Sequence, residues 1–70
     1  MNIEYTDHAI HKMKKRHIAE DEVASAIKYP ENTRKVGDKY YAMKNIGRGS
    51  IEVVFIKDKY IKVITVYWIP

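Results

Sequence analysis

Three side chains near the N-terminus have the types and spacing for phosphoryl chemistry: His8, Lys12 and Arg16, at i, i+4 and i+8 along one helix edge. Cutting RNA through its own 2′-OH needs a group that accepts the hydroxyl proton. It also needs a group that protonates the leaving oxygen and a cation that steadies the charge growing on the phosphoryl oxygens. A histidine and an arginine supply two of these, and the guanidinium fork binds two phosphate oxygens at once. Both residues also have ordinary uses. His8 can pack on a sheet edge from the first turn of a helix, and Arg16 can oppose the dipole at its end. Tyr67, near the end of the last apolar run, can hydrogen-bond a scissile phosphate or stack on a base. It can equally be a half-buried strand tyrosine. Glu52 can act as a general base, but it reads first as a cross-strand partner for Thr65 or a nearby lysine.

The charge pattern agrees with an anionic ligand without requiring one. The 70-residue chain carries a net charge of +4, and Lys12, Lys14, Lys15 and Arg16 crowd one segment. Such density attracts phosphate backbones and releases their counterions, and it also suits a solvated helix face. Six tyrosines and one tryptophan fit stacked RNA bases and protein interfaces equally well. No metal or cofactor is expected. His8 and His11 are three apart with no third ligand nearby, and Gly47 and Gly49 sit in a turn rather than in a phosphate loop between strand and helix.

These residues must be held by something. Thr6 is a good N-cap with Asp7 in the first turn, so a helix is expected from Asp7 to Arg16, with Ala9, Ile10 and Met13 as its apolar stripe. A second helix is expected from about Glu20 to Lys28. Acidic Glu20, Asp21 and Glu22 begin it, Ala19 is a poor cap, and Pro30 ends it. Ile3 to Tyr5 reads as an edge strand or an extended lead-in. From Arg34 onward the pattern turns to strands: Tyr40 to Ile46, Ile51 to Lys57 and Tyr60 to Trp68, with turns at Gly37-Asp38, Gly47 to Ser50 and Asp58-Lys59. A two-residue turn at Asp58-Lys59 pairs Lys57 with Tyr60, which sets Ile51 opposite Val66, Glu52 opposite Thr65 and Ser50 opposite Tyr67. Both faces of that hairpin are apolar along much of their length. Two short helices cover only one, leaving the other to a partner or a second copy.

The expected architecture is therefore a single α+β domain over 1–70, two N-terminal helices packed on a three- to four-stranded antiparallel sheet. With no cysteine it has no disulfide, and a domain this small leans on assembly for stability. No signal peptide is read at the N-terminus. The stretch Val63 to Ile69 is far short of the ~20 residues that span a bilayer, so a cytoplasmic protein with no membrane partner is expected.

The run His8-Ala9, Lys12-Met13, Arg16, Ile18, Glu22-Val23, Ala26-Ile27 and Pro30-Glu31, closed by Ile51-Glu52-Val53-Val54 and Val63 to Tyr67, resembles a small family of bacterial and archaeal proteins. That family is catalogued mainly as a domain of unknown function and is similar to the RelE/ParE and BrnT toxins. The resemblance covers nearly the whole chain. It implies a RelE-like fold and a metal-independent endoribonuclease of the barnase–colicin–RelE type, the toxin of a toxin–antitoxin pair. In that reading His8, Arg16 and Tyr67 are catalytic, and Lys12, Lys15, Lys44 and Arg48 bind RNA. A small acidic antitoxin, the ribosome and a second copy are the expected partners. Three residues depart from the family pattern: His17 stands for Gly, Ala19 for Ser and Lys12 for Arg. The alternatives are a nucleic-acid-binding module without catalysis and a pure interaction protein.

Overall fold

Thr6 begins the first helix as its chemistry requires. Its hydroxyl accepts the Ala9 N–H at 3.0 Å and donates to the Ile64 carbonyl at 3.2 Å, so one side chain caps a helix and ties it to the last strand. At the other end His17 takes the left-handed conformation (φ 55°, ψ 47°). The Ile18 N–H then bonds the Met13 carbonyl at 2.9 Å, closing a Schellman turn in which glycine is the usual residue. Ala19 caps the second helix with no side-chain bond. Glu22 reaches back instead, accepting the Ala19 N–H at 2.9 Å, which is half of a capping box.

The computed structural model describes residues 2–70. Its elements are β1 (Ile3–Tyr5), α1 (Asp7–Arg16), α2 (Glu20–Lys28), β2 (Asn32–Val36), β3 (Lys39–Asn45), β4 (Ser50–Lys57) and β5 (Ile61–Ile69). The sheet corrects the expected architecture. It has five strands in the order β1-β5-β4-β3-β2, and β1 runs parallel to β5, so it is mixed rather than antiparallel. Ile3 to Tyr5, open between an edge strand and an extended lead-in, is the edge strand β1. β2 escaped the sequence pattern because it is exposed at every position, so it shows no apolar alternation.

The expected register of the last hairpin is also corrected. Lys57 pairs with Ile61, not Tyr60, and a bulge falls beside Val54 and Phe55. Ile64 is the extra residue, since Phe55 opposes Val63 while Val54 opposes Thr65. Beyond the bulge Glu52 opposes Tyr67 and Ile51 opposes Trp68. The shift puts Ile51, Val53 and Phe55 on one face with Val63 and Val66. These join Ala9, Met13, Ile18, Val23 and Ala26 from the helices in one buried cluster. Gly49 is forced by this packing. Its φ is +139°, and a Cβ there would lie 3.0 Å from the Trp68 ring.

α1 packs on β5 and β1, and α2 on β4 and β3. Both join the one cluster, so both lie on one face of the sheet, and among the described residues the other face has no helix.

Candidate functional site on the helix-free face

Strand alternation decides what the helix-free face carries. With Ile51, Val53, Val66 and Trp68 turned to the helices, Glu52, Val54, Thr65 and Tyr67 point the other way. Register places Tyr41, Met43 and Lys39 of β3, Arg34 of β2 and Lys62 of β5 on that same face. At its centre the Tyr67 hydroxyl donates to Glu52 Oε1 at 2.5 Å. Arg34 Nη2 lies 3.7 Å from the same oxygen, and the guanidinium rests over the Tyr41 ring, 4.1 Å from its centroid. A carboxylate, a guanidinium and two phenols thus meet across four strands.

The electrostatics follow from the contacts. The Glu52 side chain is 14% exposed and that of Arg34 55%, so the acid is sheltered while the cation faces solvent. Burial first, and the Glu52 carboxylate second, push the Tyr67 phenol up to about 12. It therefore keeps its proton at neutral pH and acts as a donor. Both neighbours approach Glu52 through Oε1, and among the described residues Oε2 has no hydrogen-bond partner. That oxygen is available to accept a proton or a hydroxyl.

The residues expected from sequence are not brought together. His8 and Arg16 are two turns apart, about 12 Å along the helix axis, and no hydrogen bond joins them among the described residues. His8 is exposed. Arg16 donates to the Val66 carbonyl at 2.7 Å, while its own carbonyl accepts from the Trp68 indole at 2.9 Å. It closes the outer edge of β5, on the far side of the strand from where Tyr67 points. Lys12 shares that stripe, half-buried, and Lys15 is exposed on α1.

Lys44 and Arg48 also have structural partners. Lys44 donates to the Tyr29 carbonyl at 2.9 Å and borders a hollow of about 450 Å³ beside α2. Arg48 donates to both Glu22 oxygens, at 3.0 and 2.7 Å, and to the His17 carbonyl at 2.5 Å. Its guanidinium also lies 4.9 Å from the Trp68 ring centroid. It straps the β3–β4 turn to the turn between the helices, and its hydrogen bond, with that of the Ala19 N–H, holds the Glu22 carboxyl below its usual range.

Of the expected catalytic set, only Tyr67 lies in the central cluster. Glu52 was read mainly as a strand partner, and its partner is Tyr67 rather than Thr65. Arg34 and Tyr41 were not singled out. The signal that could have found Arg34 is the two-residue turn at Gly37-Asp38, which implies a strand before it and sets Arg34 opposite Tyr41.

Among the described residues no group of three or more His, Cys, Asp or Glu gathers as a metal site. No described helix is long and apolar enough to cross a membrane. The family described as Domain of unknown function (DUF4258) matches residues 5–68. No curated protein and no solved structure matches the chain.

Proposed function

We propose that this chain, which belongs to the DUF4258 family, is a metal-independent endoribonuclease whose working surface is the helix-free face of the sheet, and that it serves as the toxin of a toxin–antitoxin pair. The observation that carries this reading is the juxtaposition of Glu52, Arg34 and Tyr67, with Glu52 Oε2 unengaged among the described residues. The resemblance of the helical motif to RelE/ParE and BrnT toxins supports the toxin role.

In the proposed reaction Glu52 accepts the proton of a ribose 2′-OH. The freed oxygen forms a bond to phosphorus, and the bond from phosphorus to the 5′-oxygen breaks. The products are a 2′,3′-cyclic phosphate and a 5′-hydroxyl. Arg34 turns from its loose contact with Glu52 to the phosphoryl oxygens, where a guanidinium is most effective as charge builds. Tyr67, protonated throughout the physiological range, turns its single O–H from Glu52 to the departing 5′-oxygen, which takes its proton from water, and Glu52 returns the proton it accepted to the hydroxide so formed. Lys39 and Lys62 lie on the same face across β4 and oppose Ile56 from either side, so they can hold flanking phosphates.

The test is cleavage of labelled structured RNA in chelator by the wild type, Glu52→Gln and His8→Ala/Arg16→Ala. The expected result is cyclic-phosphate ends from the wild type, a loss of about 10²–10⁴-fold for Glu52→Gln, and cleavage by the His8/Arg16 variant wherever it remains folded. Undiminished cleavage by Glu52→Gln overturns the site. Salt-sensitive RNA binding with no cleavage by any form overturns the reaction and leaves a binding module.

A further inference from the structure

The two outer strands of the sheet are finished differently. β1 is three residues long, and β5 extends past it. The β5 carbonyls there are taken: Val63 by the Thr6 N–H at 3.1 Å, Ile64 by the Thr6 hydroxyl and Val66 by Arg16. β2, at the opposite edge, has five residues, all exposed and without a bulge.

The geometry of β2 says which of its groups face outward. The Gly37-Asp38 turn has two residues, with Val36 paired to Lys39 and Gly37 at φ +63°. Such a turn closes on a hydrogen-bonded pair. Pairs then alternate, so Asn32, Arg34 and Val36 direct their N–H and C=O groups at β3. Thr33 and Lys35 direct theirs away from the sheet. That leaves two donors and two acceptors in one extended row, with no partner outside the ladder among the described residues. An edge of this kind is a template for another strand.

From these observations we infer that β2 is a docking edge for an extended acidic segment of another protein, which adds a sixth strand to the sheet. The charge pattern selects the occupant. Within β2 the charged residues are Arg34 and Lys35. Lys35 lies 5.3 Å, and Lys57 4.9 Å, from the Tyr40 ring centroid, so a second lysine stands beside it. The acids near the strand are already placed: Glu52 lies 3.7 Å from Arg34 on the open face, Asp38 is in the turn, and the Glu31 carboxylate accepts the Asn45 N–H. Val36, 56% exposed, offers an apolar contact at the end of the row. A second copy of this chain is a poor occupant. Two-fold antiparallel pairing over the whole strand centres on Arg34 and sets two guanidiniums directly opposite, where like charges repel. The added strand also lies beside Arg34, so carboxylates on its outer face can draw that side chain from Glu52. The inference does not depend on RNA cleavage.

The experiment measures amide hydrogen exchange in the intact chain with a short capped peptide of alternating Val and Glu, and with its Val and Lys counterpart. The expected result is slowed exchange at Thr33 and Lys35 with the acidic peptide only, weakened by salt. Thr33→Pro and Lys35→Pro each remove one outward N–H and no ladder bond, so each weakens binding by about fivefold, the worth of one net hydrogen bond. Lys35→Glu leaves the backbone unchanged and reverses the preference between peptides. Equal binding of both peptides, binding indifferent to the prolines, or absence of protection at the two amides overturns the inference. So does concentration-dependent self-association that protects the same two amides, which gives the edge to a second copy.

Discussion

The two faces of one strand obey different rules. On β4, Ile51, Val53 and Phe55 are held by volume: they are at most 3% exposed and meet both helices in a single cluster. One residue away, Glu52 is held by direction, through a phenol and a guanidinium with few ways to meet it. The helix side is intolerant of changes in size, and the open side is intolerant of changes in chemistry. A small domain can therefore alter most of its open face at little cost to folding, because Val54 is the one buried residue there among those described and the rest lie on the other face.

The comparison breaks most visibly with adjacent substitutions. Ile51→Ala is expected to cost about 2–5 kcal/mol by denaturant unfolding, a large share of the total for a domain this small. Glu52→Gln is expected to shift the same unfolding curve by about 1 kcal/mol or less while lowering cleavage by about 10²–10⁴-fold. Similar stability losses for the two would show that the open face also carries the fold.

A smaller effect sharpens the contrast within the helix layer. His17 occupies a left-handed site that costs an L-residue about 1–2 kcal/mol. Glycine removes that strain but loses more backbone freedom on folding, so His17→Gly is expected to gain about 0.5–1 kcal/mol. The Arg48 bond to the His17 carbonyl survives the change. Thermal unfolding should move upward with RNA cleavage unaltered.

The smallest effect is a displaced titration. The Tyr67 phenol rises from 10.0 to about 12, through burial and then the Glu52 carboxylate, so the folded chain holds this proton more tightly than the unfolded chain. Its contribution to stability is complete below pH 10 and is lost as pH rises through about 12. An absorbance titration of the tyrosines should show a late step that Tyr67→Phe removes. The Tyr5 step is also raised, by burial and then by Glu20, and stays in that variant.

Much of the layout could be read from residue patterns, because local rules sufficed. Thr6, the acidic first turn and Pro30 delimit the helices, and the β-branched run from Ile51 marks β4. Other parts depend on distant residues. The turn from Asp58 to Tyr60 shifts β5 by one residue and the bulge at Ile64 by a second, so a count from a two-residue turn sets Tyr67 against Ser50 instead of Glu52. β2 is exposed throughout and has no apolar rhythm to detect. Arg16 and Arg48 have the chemistry of ligand-binding cations, but the Val66 carbonyl, 50 residues away, occupies the first, and the Glu22 carboxylate with the His17 carbonyl, 26 and 31 residues away, occupies the second. The His8, Lys12 and Arg16 spacing does place all three on α1, while the partner of Arg16, the Val66 carbonyl, lies 50 residues away and leaves no trace in that spacing.

The pairing of β1 with β5 has a consequence for how the molecule is made. Tyr5 sits beside Val63, and Thr6 bonds residues 63 and 64, so almost the whole chain intervenes between partners. β1 and Thr6 thus leave a ribosome well before their partners in β5 and are among the last parts of the domain to find their place. The helices can form early from local contacts, but the sheet they need arrives hairpin by hairpin behind them, and long-range closure is slow. Until β5 has emerged, the apolar sides of α1 and α2 have no complete sheet to cover. Commitment to the native state is therefore deferred until β5 is made, and the open face cannot assemble on a nascent chain before then.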